Sequence, residues 1–568
     1  MRWRILSSPK SKTPKNRLQE IIKILLKNRG LKTKKEQKEF FHPQKPSSLS
    51  AKDIGLSPAN LKKALTRIKK AIKNQEKIII FGDFDADGIC ATAILWEALF
   101  TNNKNSLPFI PDRLKEGYGL SEKAIKTLLS TKPYTLDPKP SLIITVDSGI
   151  TANRAVEFAR QKKIDVIISD HHEKPRQLPK AHAIVHTTSL SGAGIAWFLG
   201  KTLNPKPKTA NPLELAAIGT IADIMSLLGP NRSLVKYGLE SLKKTKRIGL
   251  QELIQEAALD PQKIGTYEIG FIIAPRLNAM GRMESALDSL RLLCTQNRHR
   301  AQILSKKLGQ TNRERQTLTE ETLLKAKDIL GSAVNTVPKS PKLVFVHHQE
   351  FQQGIIGLVA SRLVEEFYLP SIVVSKGEIY SKASARSING FNIIEALREC
   401  QDLLVDVGGH PMAAGFTIET KHLDTLKDRL QEVAQKSIDK KLLKKTIRVD
   451  CEIFPADITW SLHQKLENFA PFGLGNPTPT FSSKKVIVVD VYPVGSENQH
   501  LKLRLKDKNS PFSFSALFFG KGELAAQIAP GNQIDLVYTI EANTWNNEKN
   551  LELKVKDLRF LSTPKALR

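Results

Sequence analysis

The chain has 568 residues, enough for about three to four domains. Lys and Arg number 87 against 57 Asp and Glu, a formal net charge of +30, and 40% of the residues are hydrophobic. Recurrent apolar runs exclude wholesale disorder, and no uncharged apolar stretch is long enough for a transmembrane helix. The basic N-terminus lacks the apolar block of a secretory signal. Cys90, Cys294, Cys400 and Cys451 stand far apart without a CxxC pair. That disfavours a zinc ribbon or a disulfide framework and fits a reducing cytoplasm. Residues 1–77 hold 22 Lys and Arg against 5 Asp and Glu, more than half of the net charge. A polyanionic partner, nucleic acid above all, is one reading of that concentration; a solvated basic surface is the simpler one.

In chain order, residues 1–75 read as short basic helices, as in LQEIIKILLKNRG and NLKKALTRIKKAIKN. The apolar run Lys77–Phe81 follows, ending in GDFDADG, and then the helical ATAILWEALF. The alternation repeats through SLIITVDSG, TANRAVEFARQKK and IDVIISDHHE, the pattern of a parallel sheet with crossover helices. Residues 213–225 read as an apolar helix, and residues 293–332 as a long charged helix joining two domains. A second α/β pattern runs over 333–440, from KLVFVHH through SIVVS to DVGGHPMAAGF. Residues 446–566 alternate with period two, as expected of a small barrel or sandwich.

The ionisable residues gather at predicted strand ends. Asp83, Asp85 and Asp87 follow the first strand, Asp147 the next, and Asp170, His171 and His172 the third. In an open parallel sheet those ends face one crevice, where ligands bind. Asp223, closing the apolar helix, is a fourth contributor. Carboxylates crowded in one crevice stay ionised only beside a cation, or else their pKa values rise. A carboxylate-rich site with one or two imidazoles suits Mn²⁺ or Mg²⁺. Two such ions can activate water for hydrolysis of a phosphoester. Asp170 is the weakest ligand candidate and reads as a partner that orients a histidine.

GDFDADG, VDSG, SDHH and Ala222-Asp223, in this order, resemble motifs I to IV of the DHH phosphoesterases. GGHPMAAGF (residues 408–416) resembles the glycine-rich signature of their associated C-terminal domain. APRLNAMGR, FQQGIIGLVASRL, FAPFGLGNPTPTF and the strand-rich end are similar to the branch of single-strand-specific DNA exonucleases. The resemblance spans residues 50 to 565. It implies an α/β architecture: a DHH-type parallel-sheet domain (76–292), a connecting helix, a DHH-associated α/β domain, and a C-terminal all-β OB-type barrel. It also implies that Asp85 and Asp147 hold one metal, and that Asp87, Asp147, His171 and Asp223 hold the other. The same resemblance implies that His172 contacts the scissile phosphate, with Asp83 and Asp170 as further catalytic candidates. It implies that Arg276, Asn278 and Arg282 bind backbone phosphate and that Arg386, Ser387 and His410 approach from the second domain.

There are two departures from the family pattern. A histidine commonly stands four residues before the middle Asp of motif I, where this chain has Phe81; Asp83 takes its place or the first metal is held more weakly. SKASARS (residues 381–387) has less glycine than its counterparts.

The implied activity is hydrolysis of single-stranded DNA from the 5′ end to 5′-mononucleotides, in repair and recombination. The implied setting is cytoplasmic, as a monomer working beside a helicase and single-strand-binding protein. Lys502, Arg504 and Lys506 alternate along one strand and so share a face suited to phosphate. Tyr492 and Phe512 are expected in the barrel core, leaving Trp545, in a polar turn, as the stacking candidate. His347-His348 lacks a carboxylate cluster and reads as structural. Gly192–Gly194 lacks dinucleotide-site spacing. The competing readings are a DHH enzyme for very short or cyclic oligonucleotides and a non-catalytic binding protein. The barrel argues against the first, and the intact acidic set against the second.

Overall fold

The computed structural model describes all residues except 12, 113–115, 118, 131–138, 205–210, 335–340, 508–512, 546–547 and 562–568, with the side chains of 332–334 and 544–545 also left out. The chain forms two compact units, one of residues 1–54, 224–240 and 446–568, the other of residues 55–223 and 241–445. The first strand, β1 (Arg2–Ile5), belongs to the former.

In the other unit, β2 (Ile78–Phe81), β3 (Ser106–Phe109), β4 (Leu142–Val146), β5 (Asp165–Asp170) and β6 (Ala183–His186) form a parallel sheet in the order β3-β2-β4-β5-β6. β2 and β4 are buried along their whole length, which is why IIIF and LIITV read as continuous apolar runs. Ile79, Phe81, Ile143, Val166 and Ile168 pack one face against the helices Glu122–Ser130 and Asn153–Gln161. Phe81 lies in this core with its ring 5.3 Å from that of Phe109. Helices Ala86–Phe100 and Gly192–Leu203 also pack on the sheet, and both pack on helix Leu213–Ala222. The chain reverses direction about β2, so the carboxyl ends of β2 and β4 flank a topological switch point.

Two of these helices are tied together at the ends away from the acidic cluster. Arg247 grips both carboxylate oxygens of Glu97 at 2.6 and 3.0 Å and donates Nε to Glu214 at 3.1 Å. Glu97 lies on Ala86–Phe100 and Glu214 on Leu213–Ala222. A fourth bond, to Leu293 O at 2.7 Å, satisfies a buried charge that would otherwise be costly. The apolar helix ends at Ala222, with Asp223 as its C-cap, rather than at residue 225.

The connecting helix spans Arg298–Val334, beginning later than the expected residue 293. Asn297 stops the preceding helix pattern from running through: its Oδ1 accepts from Arg300 N at 2.9 Å, an N-cap arrangement. Beyond it, β7 (Val344–His348), β8 (Ser371–Ser375), β9 (Tyr380–Arg386), β10 (Leu404–His410) and β11 (Ala413–Glu419) form a mixed sheet, order β10-β11-β9-β8-β7. Only the β7–β8 pair is parallel.

In the unit that holds the C-terminus, β12 (Thr446–Val449) pairs in parallel with β1. β13 (Cys451–Glu452), β14 (Phe481–Val494), β15 (His500–Lys506), β16 (Ser513–Phe518), β17 (Gln533–Trp545) and β18 (Glu548–Phe560) follow. β14 through β18 close into a five-stranded barrel through the β14–β17 pairing. The basic region expected to stand alone at residues 1–75 divides. Ile21, Leu25, Leu26 and Phe40 share the core of the barrel residues Leu501, Leu503, Leu505 and Tyr538. Helix Pro58–Lys73 instead packs beside β6 in the other unit. Asn476, from the FAPFGLGNP segment, is fully buried and donates to the carbonyls of Phe469 and Pro471 at 2.7 and 2.8 Å.

β15 alternates as expected, with Leu501, Leu503 and Leu505 inward and Lys502, Arg504 and Lys506 on the other face. Tyr492 departs from expectation: it is 44% exposed. A bulge between Val488 and Asp490 shifts the register, so Val491 turns inward and Tyr492 outward. Trp545 ends strand β17 rather than sitting in a turn. Its side chain, like the whole of Phe512, lies outside the described residues.

Candidate metal centre

The loop after β2 bends into helix Ala86–Phe100 with Asp85 as N-cap, its Oδ1 accepting from Asp87 N and Gly88 N, both at 3.0 Å. Asp87 lies in the first turn, nearly fully buried, and its two oxygens accept from Gly192 N at 2.7 Å and Ala193 N at 3.0 Å. The GAG segment therefore opens a helix whose first amides hold a carboxylate. Asp147 follows β4 in a left-handed conformation, φ +62°, an uncommon and strained state for this residue type.

His171 Nε2 faces three carboxylates, 3.0 Å from Asp147 Oδ1, 3.6 Å from Asp223 Oδ2 and 4.0 Å from Asp87 Oδ2. The 3.0 Å approach lacks hydrogen-bond geometry, so Asp147 Oδ1 is buried with no hydrogen-bond partner among the described residues. An orphaned buried carboxylate oxygen amid other carboxylates is what a bound cation would satisfy. Three groupings bring ligand atoms within 4.8 Å of one another: Asp83, Asp85 and Asp147; Asp87, His171 and Asp223; and Asp147, His171 and His172. Two share Asp147, and the first is all carboxylate, with Phe81 locked in the core beneath it. The donor set fits divalent cations that favour oxygen with some nitrogen.

The electrostatics agree. Burial, reinforced by Asp85, pushes the Asp87 carboxyl up to about 6. Burial, then repulsion from Asp87, Asp85, Asp83 and Asp223, lifts Asp147 well above the carboxylate range. Asp223 rises to about 8 through burial and the charges of Asp87 and Asp85. Burial and the neighbouring His172 depress His171 to about 4, leaving its imidazole neutral and able to ligate. His172 behaves oppositely. Although burial lowers its pKa, the hydrogen bond from Nδ1 to Asp170 Oδ1, 2.7 Å, and the charge of Asp170 raise it to about 9.

Asp170 joins none of the three groupings. Its carboxylate accepts from the backbone of Ile150, His171 and His172 as well as from the His172 ring. Burial raises the Asp170 pKa, but these bonds and the His172 charge hold it below the usual range.

The remaining sequence candidates sit less uniformly. Asn278 Oδ1 accepts from Ala86 N at 2.6 Å, so its carbonyl braces the Asp85–Asp87 turn. Arg276 is held by Glu256 at 2.8 Å, a carboxylate that also takes Arg313. Arg282 and Arg386 line one cleft of about 420 Å³, with Gly354, Gly357, Lys382 and Ser384. Ser387 is excluded from that lining: it is buried, with Oγ donating to Phe391 O at 2.6 Å. His410 is exposed at the end of β10 and also lies outside the cleft lining. His347 and His348, at the end of β7, join no grouping among the described residues.

Sequence reasoning missed Gly219. A β-carbon there would stand 2.3 Å from Asp87 Oδ1 and 2.5 Å from Ala193 Cβ; one on Gly192 would stand 2.5 Å from Asp147 Oδ1. Helix Leu213–Ala222 reaches the site only because this position has no side chain. Gly219→Ala displaces Asp87 and lowers Mn²⁺ affinity about 10- to 100-fold, the usual cost of disturbing a ligand's support. Calorimetric titration of the folded variant checks this.

A parallel sheet whose strand ends converge on carboxylates and a paired histidine, followed by a second mixed sheet, defines a DHH-type phosphoesterase. Residues 77–220 match the DHH family, N-terminal domain, residues 339–436 the DHHA1 domain, and residues 449–557 the RecJ OB domain. The chain belongs to the RecJ family. It is 36% identical to the single-stranded-DNA-specific exonuclease RecJ of Bacillus subtilis, over 98% of this chain and 70% of that one. Identity to the RecJ of Thermus thermophilus is 33%, over 89% of this chain and 72% of the other. The crystal structure of the Thermus thermophilus RecJ in complex with Mn²⁺ superposes with a TM-score of 0.81 at 28% identity, covering 99% of this chain and 80% of that one. A Mg²⁺ complex of the same protein gives 0.74 at 27% identity, covering 99% of this chain and 79% of that one.

Proposed function

We propose that this chain is a metal-dependent exonuclease that hydrolyses single-stranded DNA from the 5′ end to 5′-mononucleotides. The observation that carries the reading is the orphaned Asp147 Oδ1 at the meeting point of three strand ends and the Asp223 helix, in a chain of the RecJ family. Mn²⁺ or Mg²⁺ suits the donors and occurs in the two Thermus structures.

In this reading Asp83, Asp85 and Asp147 hold one ion, and Asp87, His171, Asp223 and Asp147 the other. When bound, the ions neutralise the clustered carboxylates and activate a water at neutral pH. Hydrolysis forms a bond from the water oxygen to phosphorus and breaks the bond from phosphorus to O3′ of the terminal nucleotide. O3′ leaves with a proton, and the new strand end keeps its phosphate. His172, kept protonated by Asp170, stabilises charge on the phosphate oxygens. Arg282 and Arg386 contact backbone phosphate from the cleft, while Arg276, Asn278 and Ser387 hold the surrounding turns. The barrel face of Lys502, Arg504 and Lys506 tracks the strand backbone. The cellular reading is a cytoplasmic monomer that acts in repair and recombination beside a helicase and single-strand-binding protein. Among the described residues no helix is long and apolar enough to cross a membrane.

A long single strand labelled at either end, incubated with Mn²⁺, decides polarity. Label from the 5′ end is released first as mononucleotide, and a blunt duplex resists. Early release from the 3′ end, or equal rates on duplex, overturns the reading.

A further inference from the structure

Beside the acidic cluster, the segment Thr266–Ile273 carries two large aromatic side chains in solvent. Tyr267 is 62% and Phe271 70% exposed, and their rings stack with centroids 4.8 Å apart at 26°. A stacked aromatic pair held in solvent presents a flat π face to a further ring. The backbone there is a π turn, Ile269–Ile273, a local distortion that recurs at functional sites. Ile269 and Ile273 are fully buried, so the turn is anchored on one side while Tyr267 and Phe271 face outward.

The position matters as much as the exposure. A β-carbon at Gly270 would lie 3.8 Å from Ile221 Cγ2, two residues before Asp223. Helix Ala274–Met283 continues from the same turn and delivers Asn278 to Ala86, beside Asp85. At ~3.8 Å between consecutive Cα atoms, and adding the Ile221 side chain, the backbone of Phe271 lies within roughly 20 Å of that of Asp223. A stacked strand rising ~3.4 Å per nucleotide covers that distance in about six nucleotides.

We infer that Tyr267 and Phe271 form a stacking platform for an unpaired nucleobase of the substrate strand, within about six nucleotides of the bond that is cleaved. The inference rests on the single-strand reading above and adds a base-binding site to it. Every base presents a π face, so the platform is indifferent to sequence but requires an unpaired base. It therefore contributes to strand selectivity.

The test compares exonuclease kinetics of the full chain and of Phe271→Ala and Tyr267→Ala, on a normal oligonucleotide and on one with abasic positions among the first six. Phe271→Ala raises KM on the normal strand about 5- to 100-fold, the range for loss of one base–aromatic stack. Wild type shows the same rise on the abasic strand, where variant and wild type coincide. An unchanged KM for Phe271→Ala on the normal strand overturns the platform, and so does an equal KM deficit on both strands. A variant that changes sedimentation of the DNA-free protein also overturns it, assigning the rings to contact between copies. If wild type itself leaves the normal strand intact, the functional reading fails, an outcome distinct from failure of the platform.

Discussion

Asp147→Asn lowers the rate of strand hydrolysis on the order of 10³-fold while making the metal-free protein more stable at alkaline pH. The first effect follows because Asp147 belongs to two of the three ligand groupings and its Oδ1 is buried without a hydrogen-bond partner among the described residues. The second follows from proton linkage. The folded protein holds the Asp147 carboxyl well above its ordinary value, chiefly through burial. Above the unfolded value of about 4, the unfolded chain has released this proton and the folded chain has not. Stability then falls as pH rises, by up to about 1.4 kcal/mol per pH unit for each such group. Asp87, raised to about 6, and Asp223, raised to about 8, add to the slope. Asparagine removes one group's share and relieves the repulsion on the others. Thermal melts in chelator at pH 5 and pH 8 therefore separate variant from wild type at the higher pH and bring them together at the lower. Equal melting at both pH values, or full activity in the variant, contradicts the assignment.

Asp170→Asn has the second largest effect, through His172. Without the carboxylate, burial governs that imidazole, and its pKa drops from about 9 toward or below its ordinary value. At pH 8 the ring changes from charged to neutral, and phosphate-charge stabilisation is lost. The expected cost is about 10²-fold in kcat. The wild-type pH profile is expected to show an alkaline limb near pH 9, and the variant's limb to move to lower pH. A variant that is merely distorted would lose rate at every pH without moving the limb. Rate measurements from pH 6 to 10 separate the two.

Much of this site is legible in the sequence because parallel sheets put strand ends in one crevice. Once IIIF, LIITV and VIIS read as buried strands, the residues that follow them have to meet. The supporting role of Asp170 follows from residue type and order, whereas the neutrality of His171 follows from its burial in the fold. What is illegible depends on contacts distant in sequence. Gly219 looks like an ordinary residue of an apolar helix, and only the packed structure shows that a side chain would strike Asp87. Arg276 looks free for phosphate in the sequence, but Glu256 lies beside it in the fold. Ser387 sits next to Arg386 in a promising motif, yet the strand turns its hydroxyl inward to Phe391. Tyr492 escapes the core because one extra residue in a strand inverts a period-two pattern beyond it. The N-terminal region reads as a single piece in sequence, whereas its partition is set by the pairing of Arg2–Ile5 with Thr446–Val449.

Metal-dependent strand hydrolysis is measured as release of acid-soluble nucleotide from a long single strand, in chelator and after Mn²⁺ is restored. The expected result is no release in chelator and recovery with Mn²⁺, the product being 5′-mononucleotide alone. Release that persists in chelator, or strand binding without release in either Mn²⁺ or Mg²⁺, would contradict it.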